Sequence, residues 1–222
     1  MRASSASALV LDFGGVISKT LFETHDATEA NLGLAPGTLT WRGPFAEETD
    51  PLWSAMQRGE LSERDYWLTR SREVGQLLGE DWQDMHTFVP PARGADPALV
   101  TRPEAEHAIR VAREAGCKLA ILSNELDPFY GTEFRRKLPL LALFDVIVDA
   151  THTGILKPDP RAFGAVCDGL GLDPPDCVFV DDQERNINGA VACGLSAVRF
   201  DVKNPRNSYR QALRQLGLPF DR

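Results

Sequence analysis

The sequence predicts an α/β protein: a Rossmann-like parallel sheet of about five strands covered by helices, with a small all-helical domain inserted. Two observations carry that reading. Short apolar runs alternate with helix-period stretches, first at Leu9–Leu11 and again from Lys118 onward. A repeated strand–helix order implies parallel strands with helices on both faces. Between about residues 19 and 92 the alternation stops, and that stretch is rich in Trp, Glu and Arg without a strand pattern. The expected division is therefore 1–18 with 93–222 for the sheet domain and 19–92 for the insertion. With 222 residues, 43% hydrophobic and 25% charged, the chain is long enough for a substantial core and ordinary in composition.

Leu9, Val10 and Leu11 form the first strand, bounded by Gly14-Gly15. Asp12 ends it, at the place where open α/β sheets bind ligands; an Asp there also serves as an ordinary cap. Inside the insertion, Ser62 reads as an N-cap with Asp65 at the capping-box position and Leu61 and Tyr66 as a hydrophobic staple. Trp67, Val74, Leu77 and Leu78 then mark an approximate helical stripe. Trp41, Trp53, Trp67 and Trp82 all fall here, either as the insertion's own core or as a pocket wall. The stretch 89–97, VPPARGADP, reads as the return linker.

Next comes a helix faced by Ala105, Ala108, Ile109, Ala112 and Ala115 and ended by Gly116. The strand KLAILSN delivers Ser123-Asn124, and a helical stretch follows through Lys137. A third strand runs from about 145 to 149. Asp159 and Pro160 open a helix whose inner face is Phe163, Val166, Cys167 and Leu170. The strand CVFVD delivers Asp181-Asp182, and a helix marked by Ile187, Ala190, Val191 and Gly194 follows. SAVRF is the fifth strand, and Tyr209, Ala212, Leu213 and Leu216 mark the last helix. Ligand-type groups end the first, second and fourth strands. They must converge, so the first strand should lie between the other two, with the site in the crevice at that switch point.

The charge balance, 24 Lys+Arg against 32 Asp+Glu, gives a net −8. That disfavours nucleic acid or an acidic membrane as partner and leaves room for a small anionic substrate held by local cations. No apolar stretch reaches the length of a membrane span, and MRASSASA makes a poor signal peptide. Cys117, Cys167, Cys177 and Cys193 form no C-x-x-C pair and read as reduced thiols of a cytoplasmic protein. The oligomeric state is left open.

Each motif has a chemical reading and a plain one. An aspartate such as Asp12 can attack phosphorus or ligate Mg²⁺. The Asp181-Asp182 pair can hold a cation or cap the next helix. Ser123 offers a hydroxyl at the start of a helical stretch, or is half of a turn pair. Lys157, in GILKPDP, can neutralise charge building on a phosphoryl group or simply be solvated. Asn186 can orient Asp182 or Lys157, or sit exposed on its helix. His107 reads as structural. His25 and His152 are weaker candidates for substrate contact, and His86 has no nucleophile in reach.

The order and spacing of LVLDFGGVIS, KLAILSN, GILKPDP and CVFVDDQERNINGA resemble the haloacid dehalogenase superfamily, over about Leu9 to Leu218. The resemblance implies a Mg²⁺-dependent hydrolase of a small phosphorylated metabolite acting through an aspartyl-phosphate. By the same resemblance Asp12, Ser123 and Lys157 are catalytic, and Gly15, Ser123, Asn124 and Lys157 bind substrate. Asp12, the Gly14 carbonyl and Asp182 ligate the metal, with Asp181 acting through water. It also implies that the insertion is a helical cap closing over the site.

One position departs from the pattern. The superfamily's phosphatases usually carry a second Asp two residues after the first, and here that residue is Gly14. Two alternatives follow. The dehalogenase branch also lacks that Asp, attacks carbon, and holds the substrate carboxylate with an early cap arginine, for which Arg42 is the candidate. That branch needs no metal and lacks the DD pair. The other alternative is a non-catalytic phosphate-ligand binder. A Schiff-base phosphonate-cleaving enzyme is disfavoured, because no Lys occurs between residues 20 and 92.

Overall fold

The computed structural model describes residues 7–94, 96, 99–126 and 136–220. In chain order its strands and α-helices begin with β1 (Ala8–Leu11), α1 (His25–Leu32), α2 (Pro51–Gln57), α3 (Glu63–Leu77), α4 (Met85–Arg93) and α5 (Pro103–Glu114). They continue with β2 (Lys118–Ser123), β3 (Val146–Asp149), a short α6 (Ala150–Thr153), α7 (Pro160–Leu170), β4 (Cys177–Asp181), α8 (Glu184–Ala192), β5 (Ser196–Arg199) and α9 (Pro205–Gln215). Two compact units result. One comprises Met1–Lys19, Thr101–Asp127 and Leu138–Arg222, the other Thr20–Val100 and Pro128–Lys137. The helical stretch expected after Asn124 lies largely outside the described residues.

The first unit holds a five-stranded, wholly parallel sheet in the order β3-β2-β1-β4-β5. β1 therefore lies between β2 and β4, as the distribution of polar strand ends requires. The near-continuous apolar runs are explained by burial on both faces. Ala8, Val10, Ala120, Leu122, Cys177 and Phe179 share one core cluster with Phe163, Val166, Cys167 and Leu170 of α7 and Ile187 and Ala190 of α8. The alternate residues Leu9, Leu11, Leu119, Ile121, Val178 and Val180 are also buried, and α5 and α9 pack on the sheet as well. Asp159 caps α7 by accepting from the Arg161 amide, with Pro160 in the first turn, as read from the sequence. Val191, counted on the inner face of α8, is instead 58% exposed; the buried stripe is the narrower Asn186, Ile187 and Ala190.

The excursion into the second unit leaves and returns at one place. Ser18 and Thr101 form an isolated antiparallel bridge, and the Arg102 amide donates to the Ile17 carbonyl at 2.9 Å.

The described residues of the second unit form helices and connecting loops and no strand, α1 to α4 with short 3₁₀ turns. Ser62 caps α3 by accepting from the Asp65 amide and donates its own hydroxyl to the Asp65 carboxylate. Trp41, Trp53, Trp67 and Trp82 are all buried in one cluster with Phe22, Tyr66, Phe88 and Val89. Phe22 is the hub, meeting Trp41 and Trp53 edge-on at 5.6 and 5.2 Å, a favoured aromatic geometry. The four tryptophans thus form the unit's core. Leu77 is 54% exposed, so the α3 stripe is Tyr66, Trp67, Arg70, Ser71 and Val74.

A polar centre sits inside this apolar cluster. Asp50, fully buried, accepts from the Gly43 and Trp53 amides, the Tyr66 hydroxyl and Arg70. Burial raises the Tyr66 phenol far above its ordinary range.

The expected linker at 89–97 is corrected in its first half. Residues through Arg93 belong to α4, with Pro90 and Pro91 inside the helix. Burial of Phe88, Val89 and Ala92 holds the helical conformation where the local sequence signals a turn. Among the described residues all four cysteines are free, Cys193 half-buried and the others buried, and no helix is long and apolar enough to cross a membrane.

Candidate active site

The site forms where β1, β2 and β4 end. In the register Leu11 pairs with Ile121 on one side and Val180 on the other. One residue further, Asp12 stands level with Asp181, and its amide donates to the Val180 carbonyl at 2.9 Å. Asp12 continues the parity of Ala8 and Val10, Asp181 that of Cys177 and Phe179, and Asn124 that of Ala120 and Leu122. Alternation along strands therefore aims these three at the same side of the sheet.

Lys157 meets them there. Its Nζ donates to Asp12 Oδ1 at 2.8 Å and to Asp181 Oδ2 at 2.7 Å, and lies 5.5 Å from the centre of the Phe179 ring. The lysine is 4% exposed. Burial by itself would lower its ammonium pKa. The charges of Asp12 and Asp181, with the hydrogen bonds to both, outweigh that and move it upward. Lys157 is thus a fixed cation on the candidate nucleophile rather than a solvated loop residue. Its segment packs closely on α8, where an added Cβ at Gly189 would stand 2.7 Å from Pro158 Cβ.

Asp181 is fully buried and held by several hydrogen bonds: it accepts from the Gln183 amide, from Asn186 Nδ2 at 3.1 Å to each oxygen, and from Lys157. Asn186, expected to orient Asp182 or Lys157, orients Asp181 instead. At the third position of α8 it is buried toward the strand end rather than exposed. Asp182 is half-buried. Asp12, Asp181 and Asp182 each bring a carboxylate oxygen within 4.8 Å of the others.

The loop after Asp12 turns at its second glycine. The left-handed residue is Gly15, at φ 77°, a conformation that favours glycine. Gly14 has φ −68°, is exposed, and an added Cβ there would meet nothing within 4 Å. Gly15 is buried and its carbonyl accepts from Arg102 Nε at 3.0 Å, a contact with no signal in the sequence. Ser123 is buried, its hydroxyl accepting from the Glu125 amide at 3.4 Å. Asn124 faces the Lys157 backbone. Of the histidines, His107 bonds the Phe220 carbonyl, His152 is exposed, and His25, in the second unit, contacts Arg42 through Nδ1.

Three clustered carboxylates are hard oxygen donors, and their mutual repulsion is relieved by a cation. The donor set is of a kind that fits Mg²⁺, and two of its three carboxylates also hold Lys157. A family model of the haloacid dehalogenase-like hydrolases matches residues 6–194. The chain belongs to that family. Among curated relatives, this hydrolase is 27% identical to mouse Acyl-CoA dehydrogenase family member 10, over 97% of the chain and 20% of that protein. It is 32% identical to Phosphatase MT3486 of Mycobacterium tuberculosis (strain CDC 1551 / Oshkosh), over 45% of the chain and 46% of the relative. It is 27% identical to (S)-2-haloacid dehalogenase 4A of Burkholderia cepacia, over 94% and 88%. The chain thus spans less than half of the first two. A solved structure of a HAD phosphatase from Thermococcus onnurineus superposes with TM-score 0.54 at 21% identity, covering 88% of this chain and 86% of that one, a likeness of fold.

Proposed function

We propose that this hydrolase is a Mg²⁺-dependent phosphomonoesterase acting on a small phosphorylated metabolite. The carrying observation is the cluster of Asp12, Asp181 and Asp182, with oxygens within 4.8 Å of one another beside Lys157. Dehalogenation at carbon needs no metal, and so no second carboxylate of the Asp181-Asp182 pair. Both chemistries occur among the relatives named above, and the carboxylate cluster favours the phosphatase.

In this reading Asp12 attacks phosphorus with a carboxylate oxygen, the ester oxygen leaves, and water then hydrolyses the aspartyl-phosphate to phosphate and free Asp12. Lys157 holds Asp12 Oδ1, fixing the rotamer of the nucleophile, and its charge balances the phosphoryl oxygens as negative charge builds. Ser123 and the Gly15 loop line the phosphate position. Asp12, Asp182 and the Gly14 carbonyl would hold Mg²⁺, with Asp181 behind them through water. The ion supplies charge neutralisation at the phosphoryl group. The helical unit carries substrate selectivity as a cap.

The test is a panel of phosphorylated metabolites, p-nitrophenyl phosphate and 2-haloacids, assayed with Mg²⁺ and with EDTA. Mg²⁺-dependent phosphate release that vanishes in a folded Asp12→Asn variant is the expected result. Metal-independent halide release would overturn it. Ligand-induced protection from unfolding without any turnover would favour the binder.

A further inference from the structure

We infer that Asn124 is a positioning residue for Lys157, not a contact to substrate. Its amide oxygen accepts from the Lys157 backbone N–H at 2.7 Å and its amide nitrogen donates to the Lys157 carbonyl at 3.3 Å. That is a two-point grip on one residue's main chain, made across 33 positions of sequence. It resembles the way a neighbouring strand would hold Lys157, yet Lys157 lies in the loop between α6 and α7 and belongs to no strand. Asn124 thereby extends the end of β2 by one side chain and fixes a loop that the sheet itself does not reach. It is 9% exposed, with both polar atoms committed to this grip.

The consequence follows from how lysine is built. An ammonium on a flexible four-carbon stem is placed no better than its Cα. Asp12 and Asp181 hold the tip, and Asn124 holds the root. With root and tip both fixed, Nζ sits on Asp12 Oδ1 and Asp181 Oδ2 together. Release the root and the tip can keep one carboxylate while losing the other. A displacement on the order of 1 Å at such a group costs about 10²-fold in rate.

The inference rests on the phosphatase reading for its kinetic arm only. The experiment uses protein labelled with ¹⁵N-lysine, whose lysines are Lys19, Lys118, Lys137, Lys157 and Lys203, with Lys157 assigned through Lys157→Met. In Asn124→Ala the amide and ammonium signals of Lys157 should move or broaden while those of Lys118 and Lys203 stay. With p-nitrophenyl phosphate, kcat should fall about 10²-fold with KM nearly unchanged. Asn124→Asp keeps the acceptor for the Lys157 amide and loses the donor, so its Lys157 signals should be displaced less; it also serves if the alanine variant fails to fold. In a Lys157→Met background, Asn124→Ala should cost no further activity. Unmoved Lys157 signals with a raised KM and intact kcat would make Asn124 a substrate contact and overturn the inference. Absence of wild-type turnover would remove the phosphatase reading, and the lysine spectra would still decide the role of Asn124.

Discussion

At the residue scale, Gly14 is the position where this hydrolase leaves the phosphatase pattern, and its backbone makes the departure testable. A φ of −68° with open space around a prospective Cβ means that Asp can be placed there without strain. A carboxylic acid at this point can protonate a departing oxygen, an effect typically worth ~10² to 10⁴-fold. Gly14→Asp should therefore accelerate alkyl phosphates more than p-nitrophenyl phosphate, whose leaving group needs no proton. Steady-state rates on both classes check it; equal changes would show that another group already supplies the proton. Lys157 yields a second prediction. Its ammonium is raised in the folded state, so its stabilising contribution is complete below the unfolded lysine value of about 10.4 and is lost as pH rises through the higher folded one. Urea midpoints of metal-free protein above about pH 10 should fall by a component that Lys157→Met lacks. Asp12, Lys157 and the DD pair were legible because each ends a strand or precedes a helix in a spaced motif. The grips of Asn124 on Lys157 and Asn186 on Asp181 were not, because short polar side chains give no periodic signal and the Asn124 partner lies 33 positions away.

At the scale of elements, the buried Asp50 centre is the least expected feature. It joins the N-cap of α2 to Tyr66 and Arg70 on α3 and to the Gly43 turn. Removing the carboxylate leaves the buried Arg70 with Glu73 and Tyr66 beside it, and two amides without their acceptor. Breaking a buried pair by deleting one partner costs about 3–5 kcal/mol. Asp50→Ala should therefore destabilise by that order in chemical denaturation, while Asp50→Asn, which still accepts hydrogen bonds, should cost less. The sequence pattern located α3 through its Ser62 cap and its aromatic residues, yet it placed Leu77 inside. Period sets which residues share a face and leaves the width of the buried stripe to the neighbours. The same limit explains Val191 on α8 and the prolines of α4, where burial of Phe88 and Val89 overrides a local turn signal.

At the scale of the whole molecule, the order of the strands was readable because three polar strand ends had to meet, and only a central β1 allows it. The helical unit was readable chiefly as an interruption, since its aromatic core has no period of its own. The bridge between Ser18 and Thr101 bears on how such a chain could have been assembled. The points of departure and return touch, so the excursion is a closed loop tied at its neck, and the sheet unit has already met the entropy of bringing those ends together. Closing a loop costs about (3/2)RT ln n, so shortening it removes a penalty and adds none. Among the described residues, the α7–α8 core cluster contains no residue of the helical unit, and the aromatic cluster contains none of the sheet unit. Replacing residues 20–100 with a short Gly-Ser turn should therefore leave an α/β protein with a cooperative thermal transition and, on the proposed phosphatase reading, the same affinity for Mg²⁺ as the whole chain. Circular dichroism and calorimetry read both. A chain that fails to melt cooperatively would mean that the helical unit folds the sheet as well as interrupting it; one that does would mark the neck as a graft junction, where a different helical unit could be spliced into the same sheet unit.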